Sequence, residues 1–234
     1  MIIYGASLSP YVRKALVFAA EKGIEVDNVI AGPASPPDPG FLEASPFRKI
    51  PALRDGDFTI CDSTAVVTYL DALKPEPALI PAEAKARART VWYEEFADTI
   101  LIPAGARVFF NRVVAPIFLG RPGDLAAADK AETEELPPLY AYVESVMPDS
   151  GFLVGDAFTL ADIAVASPFA TLSHINVGPN VEDHPKLMAY LRGIWARPSF
   201  AALLGAERRL FAAVAQRQSP SGSGSSEPDK RALT

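Results

Sequence analysis

Met1-Ile2-Ile3-Tyr4-Gly5-Ala6-Ser7-Leu8-Ser9-Pro10-Tyr11-Val12-Arg13-Lys14 opens the chain and decides how the rest is read. The first four residues form a short apolar strand and Gly5-Ala6-Ser7-Leu8 a turn. Ser9-Pro10-Tyr11 then leads into a helix through Arg13 to Lys22, with Gly23 as its stop. Ser9 therefore stands where a strand ends and a helix begins. A hydroxyl there faces free helix N–H groups and the positive end of the helix dipole, a place suited to phosphate, carboxylate or thiolate. An N-cap followed by a first-turn proline uses the same residues, so this stretch alone leaves both roles open.

Composition narrows the function class. The chain has 234 residues, of which 49% are hydrophobic and 21% charged, enough for one large domain or two small ones with ample core. A net charge of -6 argues against nucleic acid and against an anionic membrane surface. The single cysteine, Cys61, rules out an intramolecular disulfide and a cysteine-rich metal site, and is expected to pack as a small apolar residue. His174 and His184 are far apart, so no metal is expected; there is no G-x-S-x-G motif. No signal peptide is visible and no apolar run approaches the ~20 residues of a membrane span, so the expected setting is cytoplasmic.

Outward from the opening, the first third alternates strand and helix. Glu25–Ile30 alternates polar and apolar as a second strand, and a proline-rich loop holds Pro33, Pro36, Pro37 and Pro39. Phe41–Ala44 is at most a short helix. Lys49-Ile50-Pro51-Ala52-Leu53 reads as a strand, Arg54-Asp55-Gly56-Asp57 as a hairpin turn centred on Asp-Gly, and Phe58–Cys61 as the returning strand. Asp62-Ser63-Thr64 caps a helix through Asp71. This is a small α/β unit over 1–74, followed by a linker at 75–84 containing Pro75, Pro77 and Pro81.

Beyond the linker the pattern is helical, an all-α domain over 85–216. Trp92, Phe96, Ile100 and Phe110 recur at helical spacing on a long helix bent near Pro103, and Pro137-Pro138 interrupts a later one. Thr159-Leu160-Ala161-Asp162 matches a capping box, with Phe158 and Ile163 placed for a hydrophobic staple. His174 falls in an apolar helical stretch and is expected to be packed. The Ser/Gly-rich stretch over 217–234 reads as a disordered tail.

Four features taken together resemble the cytosolic glutathione transferases: Ser9-Pro10-Tyr11 after the first strand, Lys49-Ile50-Pro51-Ala52-Leu53, Asp62-Ser63 capping a helix that ends in Tyr69-Leu70-Asp71, and Phe158-Thr159-Leu160-Ala161-Asp162-Ile163-Ala164. The resemblance implies a thioredoxin-like N-terminal domain followed by an all-α domain. It implies that Pro51 is cis, that the Ile50 backbone pairs with glutathione as an added strand would, and that Asp62 and Ser63 hold its γ-glutamyl end. Lys49 would pair with the glycyl carboxylate; Arg48 departs from the glycine many relatives carry there.

The same resemblance makes Ser9 the catalytic residue, as in the similar Ser-Pro-Phe sequence of the tau class. The omega class has cysteine there, and serine cannot form a mixed disulfide. Ser7 and Tyr4 are rival hydroxyls. A free thiol has a pKa near 8.5, and a hydrogen bond beside a helix N-terminus favours the nucleophilic thiolate. The expected activity is transfer of glutathione, as co-substrate, to a small hydrophobic electrophile between the domains, with Tyr11 bordering the pocket and Arg107, Phe109 and Phe110 forming its opposite wall. A homodimer is implied. The alternative is a non-catalytic module on the same fold, binding glutathione or other ligands.

Overall fold

The computed structural model describes residues 1–32, 35–36 and 38–218. The opening stretch forms β1 (Ile2–Tyr4) and α1 (Pro10–Glu21), with Ser9 at the N-cap. Between them Gly5 adopts φ 137°, and a Cβ there would stand 2.5 Å from Val12 Cγ2, so only glycine fits this turn. β2 (Asp27–Val29) runs parallel to β1, while β3 (Ala52–Asp55) runs antiparallel on its other side and carries β4 (Phe58–Cys61) at the edge. The sheet order is β2-β1-β3-β4. A short α2 (Pro39–Ala44), capped by Asp38, covers one face; α1 and α3 (Ser63–Leu73) lie on the other with the main core.

Two details of this unit differ from the sequence expectation. β3 begins only at Ala52, after the Ile50–Pro51 bond, which is cis. The hairpin turn is Gly56-Asp57, one residue later than expected, because Asp55 pairs with Phe58 inside the ladder and Gly56 takes the positive φ of 61°.

The helical unit is built on one run, Ala84–Phe118. It passes from α4 (Ala84–Phe96) through a π-helical turn at Ala97–Leu101 into α5 (Ile102–Phe109) and a second π-helical segment at Phe110–Phe118. The π turn stands just ahead of Pro103 and the second segment contains Pro116, so the helix absorbs its prolines by widening locally and stays continuous. Among the described residues this is the one helix long and apolar enough, by length and composition, to cross a membrane, more than the sequence reading allowed. Its Phe96, Leu101, Val108 and Phe109 are buried in the core of this unit.

α6 (Leu125–Lys130) passes through another π-helical turn, Ala131–Glu135, into α7 (Leu136–Val146). Pro137 and Pro138 do not interrupt the chain here. They fall in the first turn of α7, directly after the π-helical turn, which accommodates them without a break in the helix. α8 (Leu160–Ser173) is buried along all but its last residue, and its apolar composition on every side is that of a central helix. The Thr159–Asp162 capping box forms as expected, and Asp162 is 0% exposed. α9 (Pro185–Trp195) and α10 (Pro198–Gln218) complete the unit. α10 extends past the expected start of the tail at 217; residues 219–234 lie outside the described residues.

Candidate active site

Ser9 occupies the N-cap of α1, yet its side chain makes no capping hydrogen bond. Its N–H donates to the Ala6 carbonyl and its carbonyl accepts from Arg13 N–H, so the backbone is fixed while the hydroxyl is left to face a ligand. It lies on the wall of a cavity of about 420 Å³ between the α/β unit and the helices. Leu8 and Ile50 line one side, Phe109, Phe110 and Phe118 the other, and Leu172 and Leu210 add walls from α8 and α10. No charged side chain lines it among the described residues.

The structure separates the three candidate hydroxyls. Tyr4 is 4% exposed and packs against Phe41, across the sheet from the main core. Its hydroxyl lies against Gly40, where a Cβ would stand only 2.5 Å from it. Ser7 turns toward Glu207 and helps hold that carboxylate in its charged form. Only Ser9 lines the cavity.

Of the expected pocket residues, Phe110 lines the cavity; Tyr11 and Arg107 do not. The Tyr11 hydroxyl donates to the Asp98 carbonyl at 2.9 Å, which draws the ring toward the long helix and away from the cavity. Its pKa is pushed up to about 12 by burial, with the nearby charges of Asp98 and Asp62 adding to the effect. Arg107 is exposed and forks onto Glu135, an ion pair that turns it outward. Phe109, by contrast, takes the wall position expected of it.

A polar corner sits at the start of α3. Asp62 has φ 88°, a strained conformation for a residue with a Cβ, and its Oδ1 accepts from Thr64 N–H at 2.8 Å and Ala65 N–H at 3.1 Å. Its own N–H donates to the Pro51 carbonyl at 3.2 Å, so the cis-proline and the helix start are tied together. Ser63 is 3% exposed at the first position of α3. Ile50 lines the cavity, and neither its N–H nor its carbonyl has a hydrogen-bond partner among the described residues. That leaves an extended backbone edge open to a peptide-like ligand. Lys49 is exposed, with its backbone N–H and carbonyl both tied to Ser45 Oγ.

One group near this corner was not singled out by sequence reasoning. Lys14 is 1% exposed, and its Nζ lies 2.6 Å from both Glu94 and Asp98 on the long helix. Thr64 donates to the same Glu94 at 2.6 Å. Burial raises the Asp98 carboxyl to about 6; Lys14 opposes the shift, and the charges of Glu94 and Asp62 reinforce it. The corner is thus acidic overall, a place for a ligand ammonium. The available signal was the Arg13-Lys14 pair in an otherwise apolar helix, but its partners lie 80 and 84 residues away.

The chain is similar to known proteins in sequence and fold. The glutathione S-transferase N-terminal domain family matches residues 3–78, and the C-terminal domain family residues 106–198. Glutathione S-transferase 3 of Zea mays is 32% identical over 211 residues, covering 87% of this chain and 93% of its own. Among solved structures, glutathione S-transferase III in its apo form is 31% identical with a TM-score of 0.72, covering 88% of this chain and 95% of that one. A glutathione S-transferase from Rhodospirillum rubrum F11 is 25% identical with a TM-score of 0.77, covering 86% and 90%.

Proposed function

Because the chain belongs to the glutathione S-transferase family, we propose that it activates the thiol of glutathione on Ser9 for attack on a small hydrophobic electrophile held in the apolar cavity. The observation that carries this reading is that Ser9, alone of the three candidate hydroxyls, lines the cavity while its side chain is spared from capping.

The chemistry follows from the residues. Ser9 Oγ–H donates to the sulfur, and the free N–H groups at the start of α1 add positive potential. Both favour thiolate over thiol, and each pKa unit gained is worth about 1.36 kcal/mol. The proton passes to solvent. The sulfur lone pair forms the new C–S bond, and the electrophile either releases a leaving group with its electron pair or takes up a proton after addition. Ile50 offers its backbone to the cysteinyl residue, Asp62 and Ser63 hold the γ-glutamyl end, and Lys49 faces the glycyl carboxylate. Phe110 and its neighbours exclude water from the reacting sulfur. The protein works as a homodimer in this reading, which the 82% exposure of Phe47 and the 49% exposure of Trp92 support.

Calorimetric titration with glutathione, with the thiolate followed by ultraviolet absorbance, tests the assignment. The wild type binds and forms thiolate at neutral pH; Ser9→Ala binds but loses the thiolate; Asp62→Ala loses binding. Absence of binding by the wild type at millimolar glutathione overturns the co-substrate assignment and leaves a ligand-binding module. Arg48, in a position many relatives fill with glycine, favours that second reading.

A further inference from the structure

With its hydroxyl free, Ser9 depends for its direction on the backbone on either side, and that backbone is anchored from outside the α/β unit. Thr171 Oγ1 on α8 donates to the Leu8 carbonyl at 2.9 Å. Arg13, whose N–H holds the Ser9 carbonyl, is 0% exposed. Its guanidinium donates to Thr171 Oγ1 and to the Ser167 carbonyl, each at 2.7 Å. Glu207 on α10 completes the chain: its Oε2 lies 2.7 Å from Arg13 and 2.7 Å from His174 Nε2.

We propose that Glu207 is a positioning residue for the thiol site, acting through Arg13 and Thr171 to set where the turn between β1 and α1 presents Ser9 Oγ. The inference rests on Ser9 being the thiol-activating group.

A buried ion pair is poor value as a stabiliser, since apolar side chains of similar volume serve as well or better. This one also leaves Arg13 Nε and Glu207 Oε1 without hydrogen-bond partners among the described residues. Burial pushes the Glu207 carboxyl up, but His174, Arg13 and the Ser7 hydroxyl together hold it below its ordinary value, so it stays charged at neutral pH. What the network does supply is direction. Arg13 reaches three acceptors on two helices of the other unit with one planar group. It thereby joins α8 and α10, both of which line the cavity, to the two residues that precede α1. Misplacing a reacting group by about 1 Å can lower a rate roughly 100-fold, so such an anchor has a large effect to deliver.

The test measures the thiol pKa of bound glutathione from thiolate absorbance across pH, with glutathione affinity by calorimetry and thermal unfolding on the same samples. Glu207→Gln and Thr171→Val raise that thiol pKa by about 0.5–1 unit, roughly a 3- to 10-fold loss of thiolate below it. Glutathione affinity stays within about twofold for Glu207→Gln, since Glu207 does not line the cavity. Thr171→Ser, which keeps the hydroxyl, restores the wild-type thiol pKa. Folded variants with the wild-type thiol pKa overturn the proposal, whatever their loss of thermal stability. Should Glu207→Gln fail to fold, the Thr171 pair decides by the same criterion. A wild type that binds glutathione and forms thiolate beside unchanged variants overturns this inference alone. A wild type that binds none overturns the function proposed above and this inference with it.

Discussion

Arg48 adopts φ 57°, in the left-handed region where a side chain is strained and glycine is not. Its side chain is exposed and takes part in no ion pair among the described residues to offset that strain. Arg48→Gly is therefore expected to stabilise the protein by about 0.5–1 kcal/mol, after allowing for the greater freedom of glycine in the unfolded chain. Chemical denaturation reads this directly; a destabilised variant would mean that the arginine makes a compensating contact. At the same scale, the placement of Ser9 and Asp62 was readable in the sequence because it depends on local geometry, a helix start in each case. The misplacement of Tyr11 and Arg107 arose because side-chain direction depends on distant partners, Asp98 and Glu135.

The start of α8 is the best-specified junction in the chain. Asp162 accepts from Leu153 N–H and Thr159 N–H, each at 2.9 Å, with the Thr159 hydroxyl nearby, all out of contact with water. Asn in its place keeps one acceptor but turns an NH2 toward donors, so Asp162→Asn is expected to lose about 1–3 kcal/mol of stability. Burial raises the Asp162 carboxyl from 3.8 to about 6, against the pull of its hydrogen bonds. Between pH 4 and 6 the folded state therefore holds a proton that the unfolded state has released, and the contribution of this group to stability declines as pH rises through that window. The deficit of Asp162→Asn should accordingly be larger at pH 4.5 than at pH 7 in thermal unfolding; an equal deficit at both would show that the carboxyl titrates normally. The capping box and staple were legible as a motif. The long helix through Pro103 was legible too, but the continuity of the chain past Pro137-Pro138 was not, because π-helical turns that accommodate proline have no fixed sequence signature.

For the whole molecule, exposed apolar side chains distinguish a monomer from an assembly. Phe47, Trp92, Val91 and Phe58 are all more than 40% exposed. Burying a side chain such as Phe47 contributes about 1.5–3 kcal/mol. Sedimentation equilibrium is expected to give about twice the 25.0 kDa chain mass. Phe47→Ser should shift that equilibrium toward the monomer; an unchanged mass would remove Phe47 from the contact.

By itself the sequence determined the order of elements, the two-part architecture, and the local devices that fix its turns: Ser9 and Asp62-Ser63 at two helix starts and Pro51 ahead of a strand. These follow from short-range chemistry, namely hydrophobic period, caps, glycines and prolines, which act within a few residues of each other. Tertiary structure alone decided which of three hydroxyls meets the cavity, which side chains line it, and how Arg13 and Lys14 are neutralised. The physical reason is separation along the chain. Glu207 stands 194 residues from Arg13 and Glu94 80 residues from Lys14, and no local preference connects them. Only when α8, α10 and the long helix pack against α1 do these charges leave water and select their partners.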